Sequence, residues 1–239
     1  MSAQSVVNAL IAASKTDPKI DGPVFVQISL QEPAVSKRQD HPILLTLPHK
    51  FKKKEDTMTC LVVKDPSSPI AAELATSPTT NTLFDEVIGV GKLRRRIANG
   101  RRNDKTSKKA EQFGHTFSLI CVQDKVMEPL KETLGLGFYK RSRHLPVPLS
   151  IDVGTCKTPE SQQKLKLTVR AIAQSAQLIL KPDSKLSSVR VGHTRMDAKK
   201  LADNVAAMIK LCKQRIPGGL GGSAVFYLKT ADSLALKVE

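Results

Sequence analysis

Glycine-rich stretches are the first candidates for chemistry, because backbone amides without bulky side chains beside them can surround a phosphate. They lie at residues 89–93, 134–146 and 217–222. In the first, Glu86 stands where a P-loop needs its leading glycine. In the second, Lys140 takes the third glycine position of a dinucleotide-binding fingerprint. The second and third stretches both follow predicted helices, which their glycines are expected to end. The sequence therefore argues against a nucleotide site.

Histidine and cysteine are scattered in a way that argues against catalysis and metal binding. The histidines stand at positions 41, 49, 115, 144 and 193, and the cysteines at positions 60, 121, 156 and 212. They form no Cys-x-x-Cys pair and no local cluster, and the acidic residues form no paired signature. We therefore predict no catalytic residue, no metal site, no cofactor and no small-molecule substrate. The scattered thiols indicate a reduced protein inside the cell.

Positive charge is the strongest signal in the chain. The formal net charge is +16 at pH 7, and a field of this size attracts polyanions. Residues 92–109 contain nine Lys or Arg and a single Asp. Such a run is either a solvated surface or a phosphate-binding one. The near absence of neutralising acids favours phosphate contact.

RNA, DNA and anionic membranes would all suit this charge. The longest apolar runs are far shorter than the roughly 18–20 residues that span a bilayer. The amino terminus also lacks the basic start of a signal peptide, so a membrane is the least favoured partner. Aromatic residues make up only 4% of the chain, and tryptophan is absent. Nucleic-acid binding is therefore expected to depend on charge and backbone shape more than on base stacking.

Hydrophobic spacing predicts the elements that position these charges. An amphipathic helix is predicted at the amino terminus, followed by strands at 23–30 and 41–49. Three almost continuous apolar runs follow at 58–66, 85–93 and 115–124, with helical stretches among them. Runs of this kind are typical of strands buried on both faces of a parallel sheet. The fold class is therefore α/β.

The two amino-terminal strands need partners, because two strands alone are marginally stable in water. Later in the chain, the sequence predicts a strand at 187–196, a helix capped by Asp197 and a strand after residue 222. Residues 159–181 show a mixture of helical and extended signals. We therefore predict a discontinuous first domain, residues 1–57 and 151–239, into which a second domain, residues 58–150, is inserted.

Seven segments, in order, resemble the ribosomal protein L1 domain as it occurs in eukaryotic ribosome-assembly factors. They are LTLPH (45–49), CLVVKDP (60–66), VIGVGKLRRR (87–96), LGLGFYKRSRHLPVPL (134–149), VRVGHTRM (189–196), ADNVAAMI (202–209) and FYLKTADSLAL (226–236). The resemblance covers nearly the whole chain. It implies a two-domain fold, in which a discontinuous α+β domain carries an inserted three-layer Rossmann-like α/β domain.

The resemblance also implies RNA binding through the split domain. In the family, the first strand region and the loop after the last strand hold structured RNA. These correspond here to VFVQISL (24–30) and to Lys229, Thr230 and Ser233. The sequence KTADSLAL (229–236) is similar to the loop of the assembly factors and differs from the Thr-Met-Gly loop of the ribosomal stalk protein.

We therefore expect a non-enzymatic, RNA-binding assembly factor of the nucleus and nucleolus, with pre-rRNA or snoRNA and pre-ribosomal assembly proteins as partners. A chain little longer than the bare domain favours the group that works in small-subunit precursors with the U3 small nucleolar RNP. A large-subunit precursor factor and the stalk protein itself are the alternatives. The predicted RNA contacts are Lys50, Lys52, Lys53, Lys54, Lys92, Arg94, Arg95, Arg101, Arg102, Lys140, Arg141, Arg143, Lys229, Thr230 and Ser233.

Overall fold

A computed structural model describes residues 2–51, 58–97, 108–141, 144–155, 157–216 and 224–238. The helices are α1 (Ala3–Thr16), α2 (Ser68–Thr76), α3 (Val90–Ile97), α4 (Lys108–Thr116), α5 (Met127–Arg141), α6 (Pro159–Gln174) and α7 (Ala198–Arg215). The strands are β1 (Pro23–Ser29), β2 (Ile43–Leu45), β3 (Thr59–Val63), β4 (Glu86–Gly89), β5 (Leu119–Gln123), β6 (Val147–Leu149), β7 (Ala176–Leu178), β8 (Leu186–His193), β9 (Val225–Lys229) and β10 (Leu236–Val238). The architecture is mixed α/β.

The chain forms two compact units. The first unit joins Met1–Lys52 to Gln174–Glu239, and the second is Lys53–Ala173. The first unit is thus built from both ends of the chain. The second crossing between the units lies at 173/174, whereas the sequence places it at 150/151.

Helix α6 is the reason for this difference. Its residue Gln162 accepts a hydrogen bond of 2.7 Å from the hydroxyl of Ser77, just after α2. Glu73 on α2 accepts a hydrogen bond of 2.7 Å from the backbone N–H of Gly154, in the segment before α6. These contacts join α6 to the second unit. The mixed signals at 159–181 are explained because α6 is followed almost at once by β7.

A four-stranded antiparallel sheet, with the strand order β10-β9-β1-β8, forms the first unit. β1 is a central strand and pairs with β8 and β9, which come from the other end of the chain. Val24, Val26 and Ile28 are fully buried, which confirms the predicted alternation. α1 and α7 contact each other and pack on this sheet. The side chain of Asp197 caps α7, as predicted.

Asn204 ties the turn after β2 to the core of the first unit. Its side chain is completely buried, and its Nδ2 donates hydrogen bonds of 2.9 Å to the carbonyls of His49 and Val191. Its Oδ1 accepts a third bond of 2.9 Å from the backbone N–H of His49. One side chain therefore satisfies three backbone groups that would otherwise be desolvated without partners.

A parallel sheet with the strand order β4-β3-β5-β6 forms the second unit. The central strands β3 and β5 are buried along their whole length, as predicted for continuous apolar runs. Cys60 and Cys121 lie in these strands as free thiols. Burial raises the pKa of Cys121 to about 12 and moves the pKa of Cys60 in the same direction. Both thiols are therefore protonated core residues at neutral pH.

Gly135 separates two helical segments within α5. Gly135 has a φ of 75°, in the left-handed region that glycine tolerates. A second helical segment follows this kink and ends at Arg141, and in it Phe138 and Tyr139 are buried with their ring centroids 5.4 Å apart. The prediction that glycine ends the preceding helix is therefore confirmed at Gly135, and the two buried rings hold the short second helical segment against the core.

Asp65 joins the carboxyl end of β3 to the amino terminus of α3. Its Oδ2 accepts a hydrogen bond of 2.5 Å from the backbone N–H of Gly91. A helix amino terminus favours an anion at this place. A Cβ atom on Gly89 would overlap the Asp65 carboxylate. The absence of side chains at Gly89 and Gly91 therefore leaves room for the carboxylate of Asp65. In nucleotide-binding folds, a phosphate binds at the corresponding edge of the sheet.

The Asn204 bonds generate a first prediction. Asn204→Ala should lower the free energy of unfolding by about 1–3 kcal/mol, because it leaves buried backbone groups unpaired. Urea unfolding followed by circular dichroism measures this change. The matched control is Asp203→Asn, which alters only the exposed contact of 3.1 Å between Asp203 and the His49 ring and should cost less than about 1 kcal/mol. Equal losses in the two variants would contradict the assignment.

The contact between Asp65 and Gly89 generates a second prediction. Gly89→Ala should destabilise the protein by about 1–3 kcal/mol, because the added methyl group displaces the carboxylate from α3. In an Asp65→Ala background the methyl group has room, so the same substitution should cost much less. A double-mutant cycle of urea midpoints measures the coupling, and a cost of Gly89→Ala that is the same in both backgrounds would refute the contact.

Candidate nucleic-acid interface

One face of the antiparallel sheet in the first unit is the candidate interface. Along β1, β8 and β9, residues that are buried toward α1 and α7 alternate with residues that are more exposed on the opposite face. We call this opposite face the outer sheet face. Its residues are Phe25, Gln27, Ser29, Leu186, Ser188, Arg190, Val225, Tyr227, Lys229 and Lys237.

Strand register puts a ring between two cations on the outer sheet face. Phe25 on β1 lies opposite Arg190 on β8 and opposite Lys229 on β9. Directly opposed residues of antiparallel strands have their Cβ atoms about 4.5–5.5 Å apart. The three side chains therefore form one continuous row across the middle of the sheet.

The neighbouring row combines a second ring with hydrogen-bonding groups. Gln27 on β1 lies opposite Ser188 on β8 and opposite Tyr227 on β9. Lys237 on β10 lies opposite Tyr227 on its other side. This row offers an amide, two hydroxyls and a further cation to a ligand.

Arg190 is held in place by a third ring. Its guanidinium carbon lies 5.6 Å from the ring centroid of Phe51, within the range of a cation–π interaction. Burial lowers the pKa of Arg190 from its ordinary value. A guanidinium still keeps its charge at neutral pH, because its ordinary pKa lies far above 7. Lys50, the next residue to Phe51, is exposed.

The loop after β9 differs from the prediction at one position. Thr230 is only 2% exposed, because the alternation of β9 turns it to the same side as Phe226 and Leu228. Its backbone N–H donates a hydrogen bond of 2.8 Å to the hydroxyl of Ser233. The predicted contact by the Thr230 side chain is thus corrected to a structural one, whereas Lys229 and Ser233 are partly exposed.

Helix α3 presents the predicted basic residues of the second unit. Lys92, Arg94 and Arg95 are exposed, whereas Leu93 and Ile97 are buried. The next residue on the helix, Arg96, behaves differently, because its guanidinium forms a 2.9 Å ion pair with Glu86. The charges of α3 are therefore of two kinds, one neutralised by a carboxylate and the others presented to solvent.

The remaining predicted contacts lie on α5 or outside the described residues. Lys140 is exposed on α5. Outside the described residues lie Lys52, Lys53, Lys54, Arg101, Arg102 and Arg143, together with the side chain of Arg141. These residues stay predictions.

Two residues of the candidate interface, Arg190 and Tyr227, are not predicted from the sequence. Each lies in a short alternating segment, VRVGH or VFYLK, that predicts a strand but does not say which face is covered. Pairing with β1 supplies that information, because it aligns both residues with Phe25 and Gln27. The signal that could have found them is the alternation itself, taken relative to the buried valines of β8 and to the buried Phe226 and Leu228 of β9.

Other kinds of site have less support in the described part of the chain. There, no three His, Cys, Asp or Glu side chains are grouped so that they could hold a metal ion. No helix in the same ranges is long and apolar enough to cross a membrane. A groove of about 600 Å³ beside β6 and α6 is lined by ten residues, of which five carry hydroxyls and one, Lys164, is charged. This lining lacks a paired acid and base for catalysis.

Known proteins provide a separate comparison. The sequence matches the ribosomal protein L1p/L10e family over residues 10–234. "Ribosome biogenesis protein UTP30" of Saccharomyces cerevisiae is 27% identical over 252 aligned residues, which cover 99% of this chain and 88% of that protein. "Putative ribosome biogenesis protein C8F11.04" of Schizosaccharomyces pombe is 29% identical over 178 residues, 74% of this chain. The match spans only 43% of the Schizosaccharomyces pombe protein.

A mammalian relative is more distant. "Ribosomal L1 domain-containing protein 1" of Mus musculus is 21% identical over 123 residues, which cover 52% of this chain and 25% of that protein. The family match confirms the resemblance inferred from the seven ordered segments, and it covers nearly all of the residues that build the two four-stranded sheets. The chain belongs to the ribosomal protein L1p/L10e family.

Proposed function

We propose that this protein is a non-enzymatic RNA-binding factor of ribosome assembly, which acts in the nucleolus as part of a pre-ribosomal particle. The observation that carries the proposal is the row of Arg190, Phe25 and Lys229 across the outer sheet face. Membership of the L1p/L10e family supports it. The names of the two yeast relatives, both of which refer to ribosome biogenesis, support the cellular process.

Electrostatics supports a polyanionic ligand such as pre-rRNA or snoRNA. The net charge of the chain is +16, and contacts from Lys and Arg to phosphates provide most sequence-independent affinity for nucleic acid. Arg190 and Lys229 present cations in the first unit, and Arg94 and Arg95 present them in the second. We assign phosphate binding to both surfaces, with pre-ribosomal proteins as further partners.

The second unit is proposed to act without a nucleotide. In a Rossmann-like sheet, a phosphate would bind at a helix amino terminus beside the carboxyl ends of the strands. At α3 the Asp65 carboxylate already accepts the Gly91 N–H, so a phosphate would meet a like charge there. The arginines of α3 lie further along the helix and remain available to RNA.

The loop after β9 supports an assembly factor over the ribosomal stalk protein. Ala231 and Asp232 follow Thr230 in this chain, and Asp232 is exposed. A carboxylate there repels a phosphate, so the RNA contacts of the stalk protein's Thr-Met-Gly loop do not transfer to this chain. We favour a small-subunit precursor, with a large-subunit precursor as the alternative within the family.

Charge removal on α3 should reduce the salt dependence of RNA binding. Arg94→Gln combined with Arg95→Gln should weaken affinity and flatten the slope of log K against log salt by roughly 1 for each phosphate that the helix no longer binds. Fluorescence anisotropy across a salt series measures both quantities. Arg96→Gln is the matched control, because Arg96 is already paired with Glu86 and should change the slope less. An unchanged slope in the double variant would contradict phosphate binding by α3.

Sedimentation should identify the particle. In a sucrose gradient of cell extract, the tagged protein should migrate with pre-ribosomal particles and be absent from translating ribosomes. Crosslinking followed by RNA sequencing should then recover pre-rRNA or snoRNA, with the small-subunit precursor expected. Recovery of large-subunit precursor sequences would select the alternative. Migration with translating ribosomes would instead indicate a stalk protein.

A further inference from the structure

We propose that the outer sheet face binds unpaired RNA by stacking bases on Phe25 and Tyr227. The ligand is then a single-stranded loop, bulge or end, and not a duplex held by its phosphates alone. This inference rests on the RNA binding proposed above and specifies the class of RNA. It also revises the expectation, drawn from the low aromatic content, that stacking contributes little.

The placement of the few rings is the first argument. The chain has seven Phe and two Tyr, and all nine lie within the described residues. Six of them are buried, whereas Phe25, Phe51 and Tyr227 are partly exposed. Two of these three belong to the outer sheet face, and the third contacts Arg190 of that face. Every ring that is not buried is therefore at this surface.

The register of the two rings is the second argument. Phe25 lies opposite Lys229 and Gln27 lies opposite Tyr227, so Phe25 and Tyr227 are diagonal neighbours on the two central strands. Diagonal neighbours of this kind are about 7–8 Å apart. A four-stranded sheet with aromatic residues on its exposed face is an established way of stacking two or three bases of single-stranded RNA.

The groups around the rings suit the rest of a nucleotide. Arg190 and Lys229 lie on either side of Phe25, and Lys237 lies beside Tyr227. Cations that border stacking rings bind the phosphates between successive bases. Gln27 offers both a donor and an acceptor to the edge of a base. This charge complementarity favours RNA over an apolar protein segment as the occupant.

Binding measurements with two probes test the inference. The probes are a fluorescein-labelled oligouridine of about 12 nucleotides and a labelled RNA duplex of about 16 base pairs. Tyr227→Leu and Phe25→Leu keep apolar volume and remove the ring, so each should weaken oligouridine binding by about fivefold to a hundredfold. Duplex binding should change less than twofold. Tyr227→Phe is the matched control and should bind oligouridine like the wild type.

Tyrosine fluorescence gives a second readout that does not depend on affinity. The chain has no Trp and only two Tyr, so Tyr139→Phe leaves Tyr227 as the single emitter. Oligouridine should quench its emission, after correction for absorption by the RNA. The same titration of this variant with the duplex should leave the emission of Tyr227 nearly unchanged.

The outcomes separate this inference from the proposed function. If the wild type binds neither probe, the proposed RNA binding fails. If it binds both probes and Tyr227→Leu and Phe25→Leu leave oligouridine binding unchanged, RNA binding stands and stacking is overturned. Lys229→Gln tests the contribution of charge, because it should weaken the binding of both probes to a similar extent. A loss confined to oligouridine in the ring variants, with quenching of Tyr227, supports stacking.

Discussion

The pairing of β1 with β8 and β9 is the constraint on which the rest of the first unit depends. β1 comes from the amino-terminal end of the chain, and its two partners come from the carboxy-terminal end. Because side chains alternate along a strand, a slip of one residue would exchange the two faces. Val24, Val26 and Ile28 would then face solvent, and Phe25 and Gln27 would enter the core. One register therefore sets both the hydrophobic core and the outer sheet face.

An irregularity in the same pairing shapes the contact with α7. The register between β1 and β8 shifts at Val24/Phe25, and on β8 both Val191 and Gly192 are buried. A Cβ atom on Gly192 would crowd Leu201 of α7, so the absence of a side chain lets the helix approach the strand. Asn204 on that helix then reaches the carbonyl of Val191. Arg190 faces outward in the regular alternation of β8, and the bulge after it puts two successive buried residues, Val191 and Gly192, next to the helix.

Much of the fold could be predicted from the sequence, because strong periodicity is a local property. The alternation of β1, the apolar runs of β3 and β5 and the cap at Asp197 are all readable in short windows. The boundary at 173/174 was not readable, because it depends on hydrogen bonds from Ser77 to Gln162 and from Gly154 to Glu73, more than 80 residues apart in each case. The short helical segment after Gly135 was not readable for a similar reason, since it depends on the buried side chains of Phe138 and Tyr139.

The candidate site was less predictable than the fold. Exposed cations such as Lys92 and Arg94 can be found from composition alone, because charged side chains are seldom buried. Alternation divides the residues of a strand into two sets, but pairing shows which set is covered by the helices. For this reason Thr230 was expected outside and is buried, and Tyr227 and Arg190 were missed. Average aromatic content likewise does not say where the rings lie, and the three that are not buried lie on the outer sheet face or against Arg190. On the proposed stacking, a few rings suffice for recognition because the register brings them to one face.

A surface that combines cations with exposed rings has a consequence for an assembly factor. Phosphate contacts alone would hold paired and unpaired RNA similarly, since they carry no information about the bases. Stacking on Phe25 and Tyr227 needs bases that are free of partners, so it adds affinity only for the unpaired state. Base pairing of the same nucleotides then competes with the protein for them. On the proposed function, a factor with this surface holds precursor RNA while it is open and loses affinity once the RNA has folded.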